Sequence, residues 1–271
     1  MADGQDRGAF IWYELMTPDP AAAKSFYDAV VGWEIETASA MPGGAVDYRM
    51  IRRADGGHAG GLLVLSPEMV AGGAGPAWTG YVHVPDVDEA AASIVDAGGT
   101  VHMDAQDMPG VGTMAMVADP WGAVFYVMQP TPPPDMPDAR IDVFSPDRPQ
   151  HVRWNELMTP DPAGAAAFYA DLFGWRQEGS MPMGDAGDYL FLHRGDGMIG
   201  AIMPTPAPAE SAGASWLYYF GVDDIDRAAA AVTERGGMKH GEIVQIPGGE
   251  FSLTCADPQG APFGLVGPRK E

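Results

Sequence analysis

Apolar and polar positions alternate over residues 9–16, AFIWYELM, with aromatic side chains among them, and this period of two predicts a β-strand. Thr17-Pro18-Asp19-Pro20 then stops the strand and starts a helix, with Asp19 placed to cap it and Pro20 at its first position. The helix is expected to run to about Val31 and to end at Gly32. Shorter alternating runs predict strands at Asp47–Arg52 and Gly60–Leu65. The same order follows again. Trp78–Val84 reads as a strand, and Asp86–Ala97 as a helix closed by Gly98-Gly99. Strands are expected near Thr100–His102, Thr113–Ala118 and Val124–Gln129. Each unit is therefore βαβββ, one helix per several strands. That argues against a doubly wound parallel sheet and for an α+β fold with helices on one face of a mixed, curved sheet.

The pattern is then written a second time. Residues 12–21 read WYELMTPDPA and residues 154–163 read WNELMTPDPA, an offset of 142 with a single difference. Phe26-Tyr27 matches Phe168-Tyr169, and Gly32-Trp33 matches Gly174-Trp175. Pro109-Gly110 matches Pro247-Gly248, and Ala118-Asp119-Pro120 matches Ala256-Asp257-Pro258. The chain is a tandem duplication whose copies are each a pair of modules. Residues 129–150, QPTPPPDMPDARIDVFSPDRPQ, are rich in proline, which favours extended, unpaired backbone. The expected organisation is a first domain at 8–130, a linker at 131–150 and a second domain at 151–268. Ile141, Val143 and Phe144 in the linker are candidates to dock on a domain.

Composition narrows the function classes. The chain has 271 residues, 46% of them hydrophobic, enough for two buried cores. Fifteen Lys and Arg face 37 Asp and Glu, a net charge of -22, which disfavours nucleic acid and anionic membranes as partners. No apolar stretch approaches about 18 residues, and the N-terminus has no signal-peptide pattern. Cys255 is the only cysteine, so no intramolecular disulfide forms, which fits a cytoplasmic protein. The expected partner is a small molecule, with the chain a monomer or homodimer.

A strand, then D-P-x-x-A-x-x-F-Y…G-W, then A-D-P-x-G-x-x-F resembles the vicinal oxygen chelate superfamily. That group holds glyoxalase I, extradiol dioxygenases, and bleomycin- and fosfomycin-resistance proteins. The resemblance covers nearly the whole chain, and ELMTPDP is most similar to a two-domain bacterial glyoxalase-like subgroup. It implies four βαβββ modules curled into two glyoxalase-like cups of mixed sheet, with helices outside. It also implies a divalent metal held by His, Gln or Glu from four strands. The positions that match those ligands are Trp12, Thr79 and Tyr126 in the first copy, and Trp154, Leu217 and Gly264 in the second. The first module's last strand, GGLLVL or GAIMPT, offers no Glu. These are poor ligands for a divalent first-row ion. No cofactor is predicted, while a divalent metal stays open.

Alternation then assigns faces. Phe10, Trp12 and Glu14 are expected to point into the first cup, with Thr79, Tyr81 and His83, and with Tyr126 opposite. Trp154, Glu156, Leu217, Tyr219 and Gly221 take these places in the second. A carboxylate among apolar strands should have a raised pKa, and can serve as a general base or anchor a polar ligand. It can equally be a structural partner of Arg49 or Arg52. His83 corresponds to Gly221 in the other copy, so Glu14 with His83 is the candidate acid–base pair. Trp12, Tyr81, Tyr126, His58, Trp154, Glu156 and Tyr219 are the candidate ligand-binding residues. Trp78 and Trp216 are either an aromatic floor or core. His102, His151, His193 and His240 read as surface or loop residues. Three readings follow: a metal-independent binder of a small apolar or aromatic molecule, an enzyme of lyase, isomerase or oxygenase type, or a scaffold using its outer faces.

Overall fold

A computed structural model describes residues 6–41, 46–132, 141–205 and 213–270. The first copy runs β1 (Phe10–Thr17), α1 (Pro20–Val30), β2 (Glu34–Ile35), β3 (Tyr48–Arg52), β4 (His58–Val64), the short α2 (Pro67–Ala71), β5 (Ala77–His83), α3 (Val87–Asp96), β6 (Thr100–Met108), β7 (Gly112–Ala118) and β8 (Val124–Pro130). The second runs β9 (Val152–Thr159), α4 (Pro162–Phe173), β10 (Arg176–Pro182), β11 (Asp188–Arg194), β12 (Gly197–Pro204), β13 (Ser215–Gly221), α5 (Ile225–Glu234), β14 (Met238–Gln245), β15 (Phe251–Ala256) and β16 (Pro262–Gly267). The predicted βαβββ order is present four times. The two-residue β2, the helix α2 and the reach of β6 to Met108 go beyond the sequence expectation. β6 lies at a sheet edge and alternates between exposed and half-buried residues, so few apolar positions announce it.

The fold is α+β, with two eight-stranded mixed sheets in the orders β2-β3-β4-β1-β5-β8-β7-β6 and β10-β11-β12-β9-β13-β16-β15-β14. Within each module the first and last strands pair in parallel. Glu14 lies opposite Gly61 on β1 and β4, Tyr81 opposite Tyr126 on β5 and β8, and Tyr219 opposite Gly264 on β13 and β16. The parallel approach is close. A Cβ on Gly200 would sit 1.9 Å from the Asn155 carbonyl oxygen, so that strand position admits only glycine.

Asp19 caps α1 as the sequence requires, its Oδ1 accepting from the amides of Ala21 and Ala22 at 3.1 and 2.9 Å, with Pro20 next. Asp161 repeats this on α4 by accepting from Gly164 N at 3.0 Å.

By contact the chain divides into two compact units, and neither is a contiguous half. One holds the described residues of 1–11, 80–141 and 155–216; the other holds those of 12–79, 142–154 and 217–271. Each unit thus draws one module from each copy. In the second, Trp78 Nε1 donates to the Tyr27 hydroxyl at 2.8 Å, which donates to Asp257 Oδ2 at 3.2 Å. In the first, Trp216 Nε1 donates to the Tyr169 hydroxyl at 3.2 Å, which donates to Asp119 Oδ2 at 3.0 Å. The other oxygen of each Asp organises the Asp-Pro-x-Gly turn. Asp119 Oδ1 accepts from the amides of Trp121 and Ala123, and Asp257 Oδ1 from those of Gln259 and Ala261. Burial raises the pKa of both carboxyls, and it pushes the Tyr27 phenol well above its usual value.

These bonds settle the tryptophans read two ways: Trp78 and Trp216 are core. Trp78 lies among Tyr27, Trp33 and Phe220 at centroid separations of 5.4, 5.6 and 4.7 Å, in the edge-on and tilted arrangements aromatic quadrupoles favour. Phe10 corrects its assigned face: its ring lies 5.5 Å from Trp175 and 5.7 Å from Trp216, in the core of the first unit. It begins its strand, where alternation has least hold on direction. Of the linker residues, Val143 is buried, Phe144 bridges to Val152, and Ile141 stays exposed.

Candidate functional site

The first copy's candidate residues fall into two groups. Trp12, Glu14 and His58 belong to the second unit, and Tyr81, His83 and Tyr126 to the first. Trp12 Nε1 donates to the Tyr48 hydroxyl at 2.7 Å, and the Trp12 and His58 rings lie 6.1 Å apart. Burial, then the Arg52 charge, lowers the pKa of half-buried His58, which favours neutral imidazole. Glu14 is buried on β1. Of the two arginines considered as its partners, Arg49 pairs with Asp47 at 2.9 Å and Arg52 with Glu36 at 2.7 Å. In the other unit, the rings of Tyr81 and Tyr126 stack at 4.1 Å, nearly parallel at 9°. His83 is buried two residues further along β5.

The second copy differs in detail. Trp154 and Tyr219 belong to the second unit and Glu156 to the first. Glu156, on β9, accepts a 2.6 Å hydrogen bond from the Tyr189 hydroxyl of β11. Tyr219 lies over Gly264, so that a Cβ there would meet the ring at 2.2 Å. Where the first copy has His83 the second has Gly221, and that space is taken by the stem of Arg153, 2.6 Å from where a Cβ would stand. Arg153 grips both oxygens of Glu250, at 3.0 and 2.7 Å.

A further cluster lies in the second unit. Among the described residues, Asp55, Asp142 and His151 place one ligand atom each within 4.8 Å of one another. His151 stands in the loop before β9, as read, but it is not a surface residue: it is 1% exposed. Its Nδ1 lies 2.9 Å from the Pro149 carbonyl oxygen, and its Nε2 is 3.9 Å from Asp142 Oδ2. Burial lowers its pKa. Arg53 supplies the counter-charge, with Nε 3.1 Å from Asp55 Oδ1 and Nη2 2.8 Å from Asp142 Oδ2. The cluster opens on a groove of about 710 Å³ whose lining includes Asp55, Arg148, Gln150, His151 and Arg227. Gln150 has a left-handed φ of 62°, and four hydrogen bonds hold it there. Its side chain joins Gly32 O and Ala54 N, while its backbone joins Gly221 O and Trp33 Nε1.

No sequence spacing announced this cluster. Asp55 stands in the turn between β3 and β4, Asp142 in the linker, and His151 just before β9. Only the docking of the linker joins them.

The model of the Glyoxalase/Bleomycin resistance protein/Dioxygenase superfamily matches residues 9–127 and 148–265. The putative glyoxylase CFP32 of Mycobacterium bovis is 33% identical over 258 residues, covering 95% of this chain and 94% of that protein. The anthracycline biosynthesis protein DauV of Streptomyces sp. (strain C5) is 30% identical over 276 residues, covering 96% of this chain and 93% of that one. Among solved structures, the Mn(II)-bound glyoxalase from Novosphingobium aromaticivorans has the same fold at a TM-score of 0.60 and 19% identity, over 98% of this chain and 84% of that one. With both repeats matched end to end, the chain belongs to the glyoxalase/bleomycin resistance protein/dioxygenase superfamily.

Proposed function

We propose that the chain binds a small, largely apolar or aromatic molecule, with no metal ion at the strand positions its superfamily commonly uses. One observation carries this. Tyr126 stacks on Tyr81, and Tyr219 covers Gly264, so aromatic rings fill two positions where a ligating side chain would stand. Trp12 and Trp154 take the first-strand positions. Phenol and indole are poor donors to a divalent ion but good faces for a planar ligand. The anthracycline biosynthesis protein among the relatives is in keeping with an aromatic ligand. In this reading Tyr81, Tyr126 and Glu156 serve the first compact unit, and Trp12, His58, Trp154 and Tyr219 the second, in place of the contiguous domains 8–130 and 151–268. The protein is read as a cytoplasmic monomer or homodimer; no described helix is long and apolar enough to cross a membrane.

The test is a titration of EDTA-treated protein with planar hydroxylated aromatics, followed by tryptophan fluorescence and thermal shift. Quenching with a rise in Tm, weakened at least tenfold in Tyr126→Leu, is expected. Binding that requires an added divalent ion, or no binding by any compound, overturns the reading.

A second reading is an enzyme using either Glu14 or, in the other unit, His83. The buried Glu14 carboxylate, and a His83 present in one copy where the other has Gly221, favour it. Turnover of a bound compound, abolished in Glu14→Gln with binding retained, would establish it over the first.

A further inference from the structure

We infer that Asp55, Asp142 and His151 form a site for one divalent transition-metal ion, separate from the strand positions of the superfamily's metal and independent of the ligand proposed above. The argument starts from the tautomer of His151. A carbonyl oxygen only accepts, so the 2.9 Å contact with Pro149 O fixes the proton of neutral imidazole on Nδ1. Nε2 then carries a lone pair. This atom is buried and has no hydrogen-bond partner, in a residue only 1% exposed. It faces Asp142 Oδ2 at 3.9 Å. The buried lone pair meets no donor and faces the oxygen of a half-exposed carboxylate, and a cation between the two would satisfy the nitrogen. A backbone carbonyl on the far nitrogen is also how metal-binding histidines are commonly oriented.

The distances suit an ion after a small adjustment. Ligand atoms about 2.1 Å from one tetrahedral ion lie about 3.4 Å apart. The three atoms here span up to 4.8 Å, and Asp55, whose side chain is 49% exposed on its turn, is free to swing inward. Arg53 does not close the site. Its Nη1 is held by the backbone carbonyls of His58 and Asp142, so the guanidinium stays anchored when a carboxylate turns from it. The ion must still compete with that cation for both carboxylates, which predicts moderate affinity. One imidazole and two carboxylates suit zinc, iron, cobalt or manganese better than magnesium or calcium. Asp55 and His151 also line the groove, so open coordination positions would meet water or an oxygen donor bound there.

The experiment uses the full chain after EDTA treatment and dialysis. Zn²⁺ binding is followed by calorimetry and thermal shift, and Co²⁺ by its visible spectrum. One ion per chain, a higher Tm and an N/O-type cobalt band are expected. Affinity should fall at least tenfold in His151→Gln and Asp142→Asn, and stay unchanged in His240→Ala, a control on an exposed histidine. Folding of each variant is checked by circular dichroism. Should His151→Gln unfold, Asp55→Asn at the exposed turn takes its place and must show the same loss. No binding at about 100 μM ion, or equal affinity in Asp142→Asn and Asp55→Asn, overturns the site. Aromatic-ligand binding in these variants is measured in parallel and should persist, so the two readings stand or fall separately.

Discussion

Tyr27 shows how much one hydroxyl holds. It accepts from Trp78 Nε1 and donates to Asp257, so its loss leaves two buried polar groups unmatched. Tyr27→Phe should lower stability by about 2–4 kcal/mol, at about 1–2 kcal/mol per orphaned group. Chemical denaturation would measure it. Asp257 adds a pH dependence. Its folded pKa is raised by burial, so its contribution is full below the unfolded carboxylate value, about 3.9, and falls as pH rises through the folded one. Asp257→Asn removes that slope. The stability of the variant minus that of the wild type should therefore grow from pH 4 to pH 7; a constant difference would show that burial does not govern this group. The sequence marked Tyr27 and Asp257 as repeated residues. It did not mark them as partners, because Asp119 carries an identical motif and nothing in the spacing chooses between them.

Elements were legible where a chemical stop coincided with a change of period. Asp19-Pro20 ends one strand and caps the next helix, and α1 and β1 lie within a residue or two of the reading. Faces were harder. Nearly every residue of β1 is buried, so covering both sides of a strand erases the contrast that alternation depends on. Hence Phe10 was misassigned and the candidate residues gave a list without a geometry. The Asp55–Asp142–His151 cluster was illegible for another reason: its members sit on a turn, a linker and a strand entry, none of which is periodic. Cys255 illustrates an element-level consequence. Buried on β15, its thiol is pushed up to about 12, so it stays protonated and shielded at neutral pH. Native protein should resist a disulfide-exchange reagent at pH 8 and react with one equivalent per chain in denaturant. Rapid native labelling would contradict the burial.

At the scale of the molecule, the repeat predicted four modules and the fold class, while the membership of the compact units came only from the structure. Homologous modules offer similar surfaces, so the choice of partner turns on packing that composition does not encode. Each unit needs a segment from both copies. A fragment spanning residues 151–271 should therefore not give a stable folded monomer; it should self-associate or aggregate, as size-exclusion chromatography would report. Mixed with a fragment of 1–150, it should recover a one-to-one complex with the far-ultraviolet spectrum of the intact chain. A monomeric, cooperatively melting 151–271 would refute this.

The cross-copy pairing of Tyr27 with Asp257, and of Tyr169 with Asp119, also bears on how such a gene can change. Recombination between the two repeats would delete one of them. The surviving single repeat would still carry both a tyrosine and an aspartate, each suited to its missing counterpart. Two such short chains could then rebuild both units by exchanging modules, so the deletion would convert an intramolecular fold into an obligate assembly whose stability depends on concentration.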